Sequence, residues 1–326
     1  MIIDRVICTQ EGGVRLDAAI LHAIPSTTRA FVKKAIASGM ILIQTGSRLQ
    51  QAGKGLKLRA GTRIFIRKLM EETDNLVLPC GTCPEPIYED ENLLVFDKPP
   101  EMPVQPLSPD ECGTLANAVA LRFPECRTLG DRPLLGGALH RIDANTSGLV
   151  LFARSSETFD IMRDQFSAQT IKKTYLALVE GSVLTGGHLE GDLVHDPTVP
   201  FCRMIYRNDR RVISGNFNLR PLHAVTEYSP IGHTRRECEE RTLLKVVIRT
   251  GVTHQIRAQL AHSGMHIIND RLYGAFAVES QRGHCLHAYS VDFLHPRTNQ
   301  PCHIQTALPE WALSCGITDL PQEEDA

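Results

Sequence analysis

Apolar residues run four or five in a row at a few places along this chain, and each run meets a polar turn. Leu93-Leu94-Val95-Phe96 stops at Asp97-Lys98-Pro99-Pro100. Leu149-Val150-Leu151-Phe152-Ala153 begins where the stretch HRIDANTSG, residues 140–148, ends. Unbroken runs of this length predict strands covered on both faces. Residues 174–179, 243–249 and 286–293 read as further strands, the last being the final clear one. Helices are predicted between them: Thr114 to Arg122, from Ser155-Ser156 to about Thr170, and from a cap at Thr253 to Gly264. Residues 181–242 read as loop-rich, with short strands. Several strands follow one another with no helix between, which favours an α+β core over a doubly wound sheet.

The first 68 residues have a different pattern. Ser26-Thr27-Thr28 can cap a helix that Gly39 stops, with Val32, Ala35 and Ile36 as its apolar stripe. Arg29 and Lys33 lie four apart on the face away from that stripe, and Lys34 adjoins them. Short strand-like pieces follow at 41–43, 56–58 and 63–66. Residues 69–86 combine an acidic stretch with Pro79, Gly81, Pro84 and Pro86, and read as a linker. The organisation expected is a small domain over 1–68, a linker over 69–86, a large domain over 87–311 and a tail over 312–326, frayed at its end.

Charge sharpens this division. Up to Lys68 there are twelve basic and three acidic residues, and beyond it twenty-three against thirty-four. A positive head on a negative body points to a polyanionic partner; a merely solubilising surface explains the asymmetry poorly. Overall, 42% hydrophobic and 22% charged residues fit a soluble globular chain, with no apolar run long enough to span a bilayer and no leader-like start. The expected address is the cytoplasm. The ten scattered cysteines are then expected to be mostly reduced; Cys80 and Cys83 form the one close pair, and since no second C-x-x-C completes a metal site they are expected to be two free cysteines on a loop.

Three clusters could carry chemistry. In HRIDANTSG, Asp143 precedes a core strand, where a carboxylate can be held rigidly yet open to a cleft, and Arg141 is near enough to meet the same ligand. Thr146 and Ser147 can bond the loop to itself. A structural turn with a capping aspartate is the competing reading. In Arg-Thr-Gly-Val-Thr-His-Gln-Ile-Arg, residues 249–257, His254 and Arg257 are placed on one helix face, with Ile256 and Leu260 turned to a core. Arg257 there could hold a distant carboxylate in its ionised form. Tyr175, at the head of a strand, offers a flat face for a base and a hydroxyl, although a lone strand tyrosine is more often core. His262 and His266 are split by Gly264 and lack an H-E-x-x-H partner, so no metal is expected.

Together these motifs resemble the RluA-type RNA pseudouridine synthases. The pattern H-R-L-D-x-x-T-S-G-L matches His140 to Leu149. A strand ending in Lys-Pro matches Lys98-Pro99, and Lys-x-Tyr matches Lys173-Thr174-Tyr175. T-G-x-T-H-Q-I-R matches 250–257, followed by Asn269-Asp270-x-x-Tyr273-Gly274, Leu286-His287-Ala288 and Phe293-Leu294-His295-Pro296. The resemblance implies a central mixed, mainly antiparallel sheet flanked by helices and loops. It implies Asp143 as the catalytic aspartate, Tyr175 against the target base and Arg257 paired with Asp143. Arg141 would help extrude the base, and His140, Thr146, Lys98 and His254 would line the substrate site. The head, opened by Arg15-Leu16-Asp17, continued by the basic helix and closed by Gly61-x-x-Ile64-x-Ile66, resembles the small RNA-binding module first described in a small-subunit ribosomal protein, with Arg29, Lys33 and Lys34 as the RNA contacts that the resemblance implies. Glu101, Gln105, Val252 and Gln259 depart from the family pattern.

The reaction so implied is an isomerisation of uridine that needs no cofactor. One ionised carboxylate could attack the ribose anomeric carbon or take a proton from its neighbour. A glycosidase would want two cooperating carboxylates, and the motifs supply one. The implied partner is RNA, ribosomal most readily and transfer RNA as an alternative, met by a monomer. The competing classes are a non-catalytic RNA-binding or ribosome assembly factor on the same scaffold, and a metal-dependent hydrolase.

Overall fold

The computed structural model describes residues 5–9, 12–24, 27–37, 39–45, 48–66, 76–197, 203–209, 212, 219–236, 239–274 and 282–317. They fall into two compact units that divide between Leu76 and Val77.

In the first unit, β1 (Arg5–Cys8), β4 (Arg63–Ile66), β2 (Ile41–Thr45) and β3 (Arg48–Gln51) form an antiparallel sheet in that order. It shares a core with α1 (Leu16–Ala23) and α2 (Arg29–Ala37). The predicted stripe of α2 is buried at Val32, Ala35 and Ile36. Sequence pattern overlooked β1, α1 and β3. The expected strand at 56–58 is only a bridge between Arg15 and Lys57. Arg29, Lys33 and Lys34 are exposed on α2. Ser26 of the predicted cap lies outside the described residues, as do residues 67–75 of the head and linker and the last residues, 318–326.

The second unit is built on one large sheet. Its strands are β5 (Tyr88–Glu89), β6 (Leu93–Lys98), β7 (Ser147–Ala153), β8 (Lys172–Glu180), β9 (Gly187–His195), β10 (Met204–Tyr206), β11 (Leu222–Arg236), β12 (Glu239–Ile248), β13 (Leu286–Leu294) and β14 (Pro301–Gln305). They are ordered β10-β9-β11-β12-β8-β13-β7-β6-β5, with β14 on β13. Among the described residues every pairing is antiparallel except the short β13–β7 contact, so the sheet is mixed and mainly antiparallel, in an α+β fold. The apolar runs of β6, β7 and β8 are buried almost throughout, as unbroken hydrophobicity requires. Helices α3 (Leu115–Arg122, capped by Thr114), α4 (Ser156–Ser167, capped by Ser155) and α5 (Gln255–His262) complete the core with a short α6 (Glu310–Leu313).

Four expectations need correcting. The stretch 181–242 carries two long strands, β9 and the 15-residue β11. Pro230 and Gly232 look like breaks in sequence, but a bulge between them absorbs the irregularity. Residues 77–86 are no free linker: Val77 is wholly buried, Arg127 donates to its carbonyl, and Asn117 donates to that of Leu78. Cys80 is bonded to Cys112, 32 residues away, a pairing that no local spacing reveals. The start of the expected tail is ordered, with Ala312 in the core.

Candidate active site

The loop between Leu139 and β7 is gripped from behind. Lys98, fully buried at the end of β6, donates from Nζ to the carbonyls of Pro99 (2.8 Å) and Ala144 (3.0 Å). Burial pushes its ammonium down to about 7, against the pull of Asp143 and Asp97. Thr146 Oγ1 meets His284 Nε2 at 2.7 Å, and Ser147 Oγ meets His287 Nδ1 at 2.8 Å. His287 Nε2 in turn meets Thr306 Oγ1 at 2.6 Å. The Thr146 amide donates to the Asp143 carbonyl (3.0 Å), closing the turn. At its exit Gly148 has φ +109°, and a Cβ there would collide with the Ala288 backbone.

Held this way, Asp143 looks into a cleft of about 490 Å³ in the second unit. Its carboxylate is partly exposed, at 20%. Arg257 Nη1 donates to Oδ2 at 2.7 Å, and His254 Nε2 stands 3.8 Å from Oδ1. Arg257 is itself buried, and Asp270 grips it through Nε–Oδ2 (2.7 Å) and Nη2–Oδ1 (2.9 Å). Burial works against the guanidinium's charge, but Asp270 and Asp143 together raise its pKa, so it stays charged.

Tyr175 lines the same cleft and is 7% exposed, so the core and cleft readings of this residue both hold in part. Burial, then the Asp143 carboxylate, raises its hydroxyl pKa, and the phenol is neutral at neutral pH. Lys173, two residues earlier on the same strand face, also lines the cleft and donates to the Thr250 carbonyl (2.9 Å). Arg132, Arg141, Arg163 and Arg249 are further cations of the wall, with Arg141 exposed.

The structure therefore brings Asp143, Arg257, His254, Tyr175, Arg141, His140 and Thr146 to one cleft. His140 and Thr146 do so largely as framework. His140 Nε2 accepts from the Leu151 amide, and burial holds its ring neutral, its pKa pushed down to about 3. Lys98 does not reach the cleft. It is sealed beneath the loop, which corrects its expected role from touching substrate to anchoring the loop. His254 is not inside a helix capped by Thr253: it is itself the cap residue, at φ +53°. The fold supports that turn through Gln255 Oε1, which accepts from Thr250 Oγ1 and the Val252 amide. Ile256 and Leu260 do face the core. Sequence reasoning missed Asp270, Tyr273, His284 and Lys173 as site residues. Lys173 was recoverable from the two-residue strand period.

A single partly exposed carboxylate, fixed by a buried arginine beside an aromatic ring in a cation-lined cleft, is an arrangement that can serve an enzyme acting on a polyanion through one acidic group. Comparison with known proteins makes the class specific. The RNA pseudouridylate synthase family model matches residues 92–262. The chain is 29% identical over 318 residues to ribosomal large subunit pseudouridine synthase D of Xanthomonas campestris, covering 94% of this chain and 88% of that one. It is 30% identical over 308 residues to an uncharacterised RNA pseudouridine synthase of Aquifex aeolicus, covering 91% and 90%. The structure of human RNA pseudouridylate synthase domain containing 1 superposes with a TM-score of 0.55 at 18% identity, over 78% of this chain and all of that one, a likeness of fold. The chain belongs to the RNA pseudouridylate synthases, isomerases of uridine in RNA, and within them to the RluA type. No helix among the described residues is long and apolar enough to cross a membrane.

Proposed function

We propose that this protein converts uridines of large-subunit ribosomal RNA to pseudouridine, with Asp143 as the reacting group. The observation that carries this is the Arg257–Asp143 contact at 2.7 Å in the cleft wall, joining residues 114 apart in sequence. The reaction breaks the bond between uracil N1 and ribose C1′ and forms one from C5 to C1′. A proton leaves C5 and one is gained at N1, so nothing is exchanged with a cofactor. Asp143 begins it by attacking C1′ or by taking a proton from the adjacent ribose carbon; both require the ionised carboxylate that Arg257 favours.

A base in folded RNA must leave its stack for Asp143 to reach its sugar. Stacking on Tyr175 and insertion of the exposed Arg141 offset that cost, which is a few kcal/mol. Large-subunit RNA is the proposed target because the Xanthomonas relative is named for it and is matched nearly end to end. A cytoplasmic monomer is the proposed working form, with the basic face of α2 meeting RNA phosphates.

RNA carrying tritium at uracil C5 tests the assignment. Wild-type protein releases the label. Asp143→Asn is expected to release none while binding the same RNA within a few-fold of wild-type affinity. Substantial release by Asp143→Asn refutes the assignment.

A further inference from the structure

Behind the two partners of Asp143 stands a single turn, residues 269–274, which supplies a group to each of them. We propose that this turn positions the catalytic carboxylate: Asp270 acts through Arg257 on one oxygen, and Tyr273 acts through His254 on the other. The proposal rests on the reading of Asp143 as the reacting group.

The first arm is an ion-pair relay. Asp270 is 1% exposed, and a carboxylate so buried persists only with its lone pairs matched. Oδ2 accepts from Arg257 Nε, and Oδ1 accepts from Arg257 Nη2 and from the Leu272 amide at 3.1 Å. The paired contact fixes the plane of the guanidinium. Its remaining nitrogen, Nη1, is then aimed in one direction, where Asp143 Oδ2 lies.

The second arm is neutral. The Met204 amide donates to Tyr273 Oη at 2.8 Å. The hydroxyl's own proton then goes to His254 Nδ1, 3.2 Å away. An uncharged imidazole that accepts at Nδ1 carries its proton on Nε2, and burial keeps this ring uncharged by lowering its pKa. That Nε2–H faces Asp143 Oδ1 across 3.8 Å, too far for a hydrogen bond. Such contacts commonly tighten when substrate binds.

Two further facts tie the arms together. His254 sits at φ +53°, a conformation costly for a residue with a side chain, and this turns the ring out of the helix start toward Asp143. The Tyr273 ring touches both arms: the Arg257 guanidinium lies 5.1 Å from its centroid, and the His254 ring meets it edge-on at 5.9 Å. The result is asymmetric. Oδ2 is committed to Arg257, while Oδ1 is steered but accepts no hydrogen bond from the described residues and remains the oxygen able to react.

Tritium release under single turnover, with RNA affinity measured separately, tests this on the full-length protein. Asp270→Asn keeps the shape and loses the charge; it is expected to slow release at saturating RNA by about tenfold or more, with affinity within threefold, since misplacement of about 1 Å can cost 10²-fold. Tyr273→Phe and His254→Gln are made singly and together. If Tyr273 acts through His254, the pair loses no more than the worse single variant, whereas independent roles multiply. Should Asp270→Asn or Tyr273→Phe fail to fold, the other decides. Rates within threefold of wild type, losses carried by affinity, or multiplying losses overturn the proposal. Asp143→Asn run alongside separates the two levels. If it is active, the underlying reading fails; if it is dead while the turn variants are not, only the positioning role fails.

Discussion

At the scale of single residues, the site depends on polar groups kept in unfavourable surroundings. His140, His284 and His287 are held neutral by burial, with pKa values pushed down to about 3, 4 and 4; nearby Lys173, Arg257 and Lys98 respectively act in the same direction. In the unfolded chain these rings titrate near the ordinary value of about 6.5. As pH falls from there toward 4, the unfolded chain takes up protons that the folded chain refuses, and stability drops. Urea unfolding at pH 5 is expected to give a few kcal/mol less stability than at pH 7.5, with a smaller difference in His287→Gln. Equal stability at both values would mean these rings are not buried uncharged. Sequence made Asp143, Tyr175 and Arg257 legible because each sits in a dense motif. It did not reveal that Lys98 faces inward, since a lysine at a strand end has the same letter whether it reaches solvent or a buried carbonyl. Nor did it single out Asp270, whose role depends on a partner thirteen residues away.

At the scale of elements, the exit of the loop that carries Asp143 is a tight joint. Gly148 begins the core of β7, pairs with Ala288 of β13 in the sheet's one parallel contact among the described residues, and has no room for a Cβ. Gly148→Ala is expected to cost at least about 2 kcal/mol in denaturant unfolding, by forcing either β13 or the loop to move. Tritium release should fall with it; wild-type stability would show that the loop is not pinned there. The strands flanking this joint were readable from their apolar runs, and the span of α3 and the serine cap of α4 were readable too. The strand β11 was not, because its mixed polarity and its Pro230–Gly232 bulge mimic a loop. The start of α5 was misplaced by one residue for a related reason. A threonine is the expected cap, but the fold uses a histidine in a left-handed conformation to aim a ring.

At the scale of the molecule, the chain pairs a basic unit with an acidic one that holds the cleft. If exposed α2 cations such as Arg29 and Lys33 meet phosphates, removing residues 1–76 should weaken RNA affinity and flatten its dependence on salt. Every phosphate that the shortened protein no longer neutralises lowers the slope of log affinity against log salt by roughly 0.7 to 0.9. Release from a short RNA at saturation should persist, and an unchanged slope would remove the first unit from RNA binding. The division into a basic head and a catalytic body was visible in charge and motif. The true start of the body was not, because the packing of Val77 and the Cys80–Cys112 bond depend on residues far along the chain.

The most direct test of the central claim is a map of pseudouridines in ribosomal RNA from cells lacking this gene, complemented with wild-type protein or with Asp143→Asn. The expected result is that a small set of large-subunit positions reverts to uridine in the deletion, is restored by wild type and is not restored by Asp143→Asn. An unaltered map, or restoration by Asp143→Asn, would contradict the account.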